Sequence, residues 1–481
     1  MKIRQRFTFT LQAASPVHFG GGTPGELLLD GNDAPFASGN SIGGALRSFL
    51  GQGERVEPED IQYYMGKGGS SSEEEFIESR MFISDGTISG MEKLPGRTAG
   101  HDAFPAMEGT AIDPASGAAR RNHKYKRYFL PAGIELSFTV ECDTDGGETE
   151  KRLPFSRLVY IWAEAIEKGE LRFGGQKSNG YGRFTVRQLT CSEFVFDSPE
   201  ALDQYIFGRH SAVAKDCREE ALKSALLDPR PDVAVLSLKG CFPYAVYQAY
   251  QDQKLSGKGE VPSKVTGLMR NEKGDYYLPG SSIKGVLRHE LWCLLLRMLQ
   301  DRGEEDAESE RLANIRIQKW FGGPDQAGAI VVGDVIIQKA QEMKLPRAES
   351  QGEFDLPKYT RIDRITGGVI DGALKTHNEV RGEAELRLEL RAAADMEAKL
   401  FPLVYLLRRI GSGFIPLGGR TVIGLGEFKA AVTCVNLNGQ PLEFDNEKLN
   451  ERQEQLLRQF YDRFVEFVNK GGTVHDDSAG I

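Results

Sequence analysis

Leu278-Pro279-Gly280-Ser281-Ser282-Ile283-Lys284-Gly285-Val286-Leu287-Arg288 decides how the rest of the chain is read. A Pro-Gly turn ends a strand-like run, two serines can cap a helix, and an apolar helix follows through Leu291, Trp292, Leu294 and Leu295. Free amides at a new helix N-terminus, helped by Lys284 and Arg288, make a place for phosphate. Such a cap is common, and on its own it is more often purely structural.

The chain repeats the pattern. Ser38-Gly39-Asn40-Ser41-Ile42-Gly43-Gly44-Ala45-Leu46-Arg47 carries it 241 positions earlier (282 minus 41), without the lysine. Phe82-Ile83-Ser84-Asp85 answers to Val331-Val332-Gly333-Asp334 at an offset of 249. Ile112-Asp113-x3-Gly117 answers to Ile362-Asp363-x3-Gly367 at 250. Phe173-Gly174-Gly175-x4-Gly180-x-Gly182-Arg183-Phe184 answers to Leu417-Gly418-Gly419-x4-Gly424-x-Gly426-Glu427-Phe428 at 244. Four collinear matches at nearly constant offset identify a tandem duplication.

For 481 residues the repeat favours two units of roughly 190–240 residues, each long enough to bury a core. The boundaries read as a first domain 1–191, a helical connector 192–231, a second domain 232–440, and a C-terminal amphipathic helix and tail 441–481. Hydrophobic content of 40% and charged content of 27% are those of a soluble globular protein. No apolar run is long enough to span a bilayer and no signal peptide opens the chain, so a cytoplasmic protein with no membrane partner is expected. Six scattered cysteines without metal spacing read as reduced thiols. The net charge of −9 argues mildly against nucleic acid. Local basic surface is what counts, however, and Arg120–Tyr128 interleaves Lys124 and Arg127 with Tyr125 and Tyr128.

Within each half the order is strand, helix, strand, strand, helix, strand, the order of a ferredoxin-like (RRM-like) α+β fold. The first half reads as a strand over 3–13, a helix over 40–50, a polar loop over 51–72 and a strand over 81–88. A long hairpin excursion follows, with a return strand at 134–140, a helix over 155–165 and a last strand over 183–186. Long connections carry the functional surfaces. The Gly-Gly-x4-Gly-x-Gly signature precedes a strand and no helix, which rejects a dinucleotide fingerprint. It leaves a tight turn needing positive φ, or a backbone-lined groove for a nucleic-acid strand.

These paired motifs resemble the signatures of the RAMP superfamily of CRISPR proteins, and more narrowly the backbone subunits of type III effector complexes. His18-Phe19-Gly20-Gly21 is similar to that family's opening turn, and the Ile-Asp-x3-Gly pair is similar to its hairpin thumb. Two complete units in one chain resemble the double-backbone fusion subunit of subtype III-D. The resemblance implies two tandem RAMP domains with long thumb insertions that hold guide RNA (crRNA) along a filament. Base pairing then reads the complementary target RNA, beside other type III subunits. The residues matching the family's RNA-gripping positions are Ser41, Arg47, Ser281, Ser282, Lys284, Arg288, Gly174, Gly175, Lys177, Gly180, Arg183, Gly418, Gly419 and Arg420. In the basic arm they are Lys124, Tyr125 and Arg127, with aromatic rings able to stack on a base.

The family's cutting units place an acid in the loop between the opening turn and the capped helix. Cleavage there uses the target's own 2′-hydroxyl, helped by a divalent ion (Mg²⁺ or Mn²⁺). The resemblance implies Asp30 as that acid in the first unit, with Glu26 the runner-up. Turn capping is the structural alternative for Asp30. In the second unit the opening turn is missing, and its loop offers Glu260, with Asp252 just before it. Two other readings stay open: a scaffold without cleavage, and a guide-precursor-processing endoribonuclease. The latter wants a histidine near the glycine groove, beside Tyr181 and Lys177. His123 and His377 read as solvated or core residues.

Overall fold

The computed structural model describes residues 2–51, 55–68, 76–91, 104–112, 119–145, 152–207, 214–223, 233–246, 250–251, 265–271, 274–323, 327–346, 354–392 and 394–469. The chain forms two compact units, Met1–Asp228 and Pro229–Ile481.

In the first unit the opening strand Lys2–Ala13 alternates, sending Phe7, Phe9, Leu11 and Ala13 inward. It pairs antiparallel with Glu135–Asp145 on one side and Phe184–Phe196 on the other. Register places Phe9 opposite both Phe138 and Leu189, and the Phe9 and Phe138 rings stack at 5.0 Å. Met81–Ile83 and Gly86–Ser89 add to the far edge of Glu135–Asp145. The helix Phe155–Lys168 lays Phe155, Leu158, Val159, Trp162 and Ile166 on this sheet at helical spacing and ends at Gly169 in the left-handed region. Each large apolar side chain buried there contributes about 1.5–3 kcal/mol.

The second unit repeats the plan. Val233–Val246 lies between Val380–Arg391 and Val432–Leu437, and Ile330–Val332 flanks Val380–Arg391. In both units the four core strands run in the order fourth, first, third, second. That is the ferredoxin-like arrangement expected from the repeat, and the fold is two tandem α+β units.

Two stretches differ from expectation. The polar loop after the first helix contains a short helix, Pro58–Met65, started by proline at its first position. The stretch expected as a helical connector continues the sheet to Phe196, then forms the Ser198-capped helix Pro199–Ile206 and the helix Arg218–Lys223. Cys217 and Ala221 enter the first unit's core, which draws that segment onto the first unit. The C-terminal helix Glu451–Asn469 docks on its own unit, with Phe464 against Phe401 (5.3 Å) and Trp320 (6.2 Å). The strand Gln440–Asp445 before it pairs with Val432–Leu437. The tail from 471 lies outside the described residues. The six cysteines are free thiols, and no helix among the described residues is long and apolar enough to cross a membrane.

Candidate nucleic-acid interface

The duplicated helix starts have the same construction. Gly280 N–H donates to Asp334 Oδ1 at 2.8 Å, and Gly39 N–H to Asp85 Oδ1 at 2.7 Å. A Cβ on Gly280 would lie 2.3 Å from the Val332 carbonyl oxygen, and one on Gly39 2.5 Å from that of Ile83. The repeated aspartate and the repeated glycine are therefore one device, a helix docked end-on against a turn and capped by its carboxylate. Ser41 N–H donates to Ser38 Oγ, and Ser282 N–H to the Pro279 carbonyl. Most of the first-turn amides expected to await a phosphate are thus already engaged within the unit, one of them by an anion. Ser281 and Ser282 are half-buried in that turn and Arg288 is exposed beyond it. Arg47 is structural too, its guanidinium donating at 2.8 Å to the carbonyls of Met65 and Gly66. Lys284 is half-buried, and burial first, then Arg288, pushes its ammonium down to about 8.

The glycine signature follows from backbone sterics. Gly174 and Gly182 have φ of 80° and 78°, and Gly418 and Gly426 of 89° and 85°. A Cβ on Gly182 would fall 2.0 Å from the Phe173 carbonyl oxygen, and one on Gly426 1.9 Å from that of Leu417. Between them a single 3-10 turn, Lys177–Asn179 or Thr421–Ile423, ends in left-handed Gly180 or Gly424.

In the first unit this loop meets the other repeated motifs. A cleft of about 290 Å³ is lined by Phe19 and Gly20 of the opening turn, Leu28, the cap residue Ser38 with Ser41 and Gly44 of the helix Gly39–Leu50, and the loop residues Gly174, Gly175 and Lys177. Gly175 N–H donates to the His18 carbonyl at 2.7 Å, tying the opening turn to the loop. Arg183 is outside the lining. Its side chain lies against Gly169 at the end of the helix Phe155–Lys168.

In the second unit the loop carries a stacked polar group instead. The Arg420 guanidinium lies 4.2 Å over the Tyr359 ring and donates to His377 at 2.8 Å. Tyr359 O–H donates to Glu379 at 2.7 Å. His377 is only 1% exposed, and burial, then Arg420 and Lys375, pushes its imidazole down to about 4, so it is neutral. Sequence reading missed this group because its members lie far apart in the chain. The sign available was the run His377-Asn378-Glu379, polar residues at and just past the end of the strand Lys375–Asn378, all three buried by the fold.

The basic arm is the antiparallel ribbon Ala106–Ile112 with Ala119–Tyr128. Its alternation separates two faces. Arg127 lies 5.2 Å over the exposed Tyr125 ring, which covers Gly109, while Lys124 pairs with Glu108 at 2.7 Å. Its tip, 113–118, lies outside the described residues. The second-unit counterpart is an Asx turn in which Asp363 Oδ1 accepts from the amides of Ile365 and Thr366, and Gly367 has φ 68°. Those two backbone bonds hold the Asp363 carboxyl below its usual range. Ile365, at 96% exposure, projects from the tip.

The profile of the RAMP superfamily matches residues 10–185 and 256–429. This chain belongs to the RAMP superfamily. The two matches cover most of both units and enclose both glycine loops and the first-unit cleft. Membership points to a CRISPR-associated RNA-binding subunit. No curated protein matches this RAMP protein.

The two acids of the RAMP protein's first loop have different surroundings. Asp30 is exposed and caps a turn, its Oδ1 accepting at 2.8 Å from the amides of Asn32 and Ala34. Glu26 is half-buried beside Gly25, whose carbonyl accepts from Tyr128 N–H at the base of the arm. Glu260 of the second loop and Asp252 just before it lie outside the described residues. Among the described residues no group of three or more His, Cys, Asp or Glu side chains is placed to hold a metal ion.

Proposed function

We propose that this RAMP protein is a guide-RNA-binding backbone subunit of a type III CRISPR effector complex, a double-backbone fusion of the kind in subtype III-D. The observation that carries this reading is the first-unit cleft, where the opening turn, the capped helix and the glycine loop meet. Its lining combines serine hydroxyls, glycine backbone and one lysine, a surface suited to a sugar-phosphate chain rather than to a base edge. Sequence is then read by pairing between guide and target RNA, with other type III subunits as neighbours. The exposed Tyr125–Arg127 face offers a stacking platform.

In this reading the first unit also cuts target RNA, and Asp30 carries the step. Its turn fixes Oδ1 and leaves Oδ2 to face a target nucleotide, orienting the ribose 2′-oxygen for in-line attack on the adjacent phosphorus. As the bond from the 2′-oxygen to phosphorus forms, the 2′-hydroxyl proton passes to solvent water, the bond from phosphorus to the 5′-oxygen breaks, and that oxygen takes a proton from water, giving a 2′,3′-cyclic phosphate and a 5′-hydroxyl. Mg²⁺ or Mn²⁺ would neutralise charge on the phosphate. The described residues there are too few to form a metal site by themselves, so RNA oxygens would supply most of its ligands. The same two amide bonds favour a second reading, in which Asp30 only shapes the loop and the chain is a scaffold without cleavage.

The test is the assembled complex with guide RNA, labelled complementary target and Mg²⁺. Asp30→Ala is expected to abolish one cut by at least about 100-fold while leaving target binding intact. An unchanged set of cuts would sink the Asp30 assignment, and Glu26→Ala is then the variant to compare. Loss of every cut in both variants, with guide binding lost too, would point to a structural loop.

A further inference from the structure

Arg420 of the second glycine loop is half-buried, yet no carboxylate among the described residues pairs with it. Its Nη1 lies 2.8 Å and 3.1 Å from the two ring nitrogens of His377, and its guanidinium covers the Tyr359 ring at 4.2 Å. Glu379, the acid of this group, accepts instead from Tyr359 O–H at 2.7 Å. A protonated imidazole so close to Arg420 would set like charge against like, and burial first, then Arg420 and Lys375, keeps the ring neutral. His377 thus anchors the guanidinium without cancelling its charge, which a carboxylate in that place would do.

One edge of the guanidinium stays open. Among the described residues Arg420 makes no other hydrogen bond, and neither Nε nor Nη2 is one of the sealed polar atoms without partners, so both reach solvent. Together these two nitrogens form the fork that takes two oxygens of an oxyanion side-on. Tyr359 beneath and His377 beside it fix the plane of that fork, which leaves little rotamer freedom to lose on binding. Both supports are held in turn, Tyr359 by Glu379 and His377 by burial to 1% exposure. The loop stands at the surface, since Val422, two residues on, is 98% exposed. The same place in the first unit is Gln176, also left-handed but uncharged, next to Lys177 of the cleft.

We propose that His377 is a positioning residue: with Tyr359 it aims the Arg420 fork at the two non-bridging oxygens of one RNA phosphate beside the second glycine loop. The proposal rests on the reading of this chain as a guide-RNA subunit. A phosphodiester carries the paired oxygens that the fork fits. The duplicated backbone path, whose first copy lines the polar cleft, favours it over the carboxylate of a partner protein.

The test titrates the full chain with a single-stranded RNA over a range of salt concentrations. Arg420→Gln is expected to weaken binding roughly tenfold and to flatten the logarithmic salt dependence by about one unit. Arg420→Lys keeps the charge, and so the slope, but loses the fork, and its affinity is expected to fall about threefold to tenfold. His377→Leu releases the guanidinium and should show the same signature, weaker binding at an unchanged slope. His377→Gln, which restores a neutral acceptor, is expected to recover most of that loss. Natural affinity in His377→Leu overturns the positioning role. Should that variant not fold, Arg420→Lys decides, and full RNA affinity there overturns the proposal. Unchanged affinity and slope in Arg420→Gln also overturn it and assign the fork to a partner protein's carboxylate. No RNA binding by the natural chain rejects the guide-RNA reading with it.

Discussion

In the first unit the glycine loop carries Gln176, Lys177, Ser178 and Asn179, and in the second the same four places hold Arg420, Thr421, Val422 and Ile423. Both loops begin with a left-handed non-glycine residue, at φ 58° and 57°, and leave through left-handed glycines. The side chains diverge. Lys177 lines a polar cleft, whereas Val422 is 98% exposed and Ile423 55%, with Arg420 turned onto Tyr359 and His377 behind them. Each unit also sets a buried, neutral histidine at its loop, His18 from the opening turn and His377 from the strand Lys375–Asn378. The duplicated glycines therefore define a backbone path, and the chemistry at that path is set separately in each unit.

The strongest way to break the equivalence is to fill the close approaches. Gly182→Ala and Gly426→Ala each add a Cβ about 2 Å from a carbonyl oxygen at positive φ, and each is expected to destabilise its unit by about 3 kcal/mol in chemical denaturation. A variant that melts like the natural chain would show that its loop does not follow the shared path. Removing the caps comes next. Asp85→Ala and Asp334→Ala should each cost about 1–2 kcal/mol, and a large loss in one unit alone would mean that the two helix starts are not one device.

Smaller effects sharpen the contrast in chemistry. Lys177→Ala is expected to lower RNA affinity and flatten its logarithmic salt dependence by about one unit, whereas Val422→Ser should leave the slope unchanged. Equal slopes for the two variants would erase the distinction. The least effect is expected from pH. Lys284 loses its charge as pH rises through about 8, so RNA affinity should weaken modestly between pH 7 and 9, and Lys284→Arg should remove that dependence. The unfolded chain holds this proton to higher pH than the folded one, so the same shift makes folding slightly more favourable above about pH 8. Gly43 holds the corresponding place in the first unit, which has no such term.

Much of the plan was legible because it is local or periodic. The alternation of Phe7, Phe9 and Leu11 and the helical spacing of Leu158, Trp162 and Ile166 specify which faces are apolar, and the repeat specifies the order. The short helix Pro58–Met65 was missed because a polar eight-residue segment has little period to read, and Arg47, one turn from its own helix end, closes it from outside. The sheet extension to Phe196 was missed because its residues are mostly half-buried and alternate weakly.

By itself the sequence determined the duplication, the ferredoxin-like order, and the paired capped helix starts and glycine turns. These follow from chain-local sterics, hydrophobic period and capping chemistry, which act over a few residues and leave a mark in each half. Only the tertiary structure decided that Asp85 and Asp334 occupy the helix ends expected to hold phosphate, and that the Arg47 guanidinium is spent on the carbonyls of Met65 and Gly66. It also brought His18 to Gly175 and joined Arg420, Tyr359 and His377. Those contacts join residues tens to more than a hundred positions apart, and their energies depend on burial and distance, which no local pattern encodes.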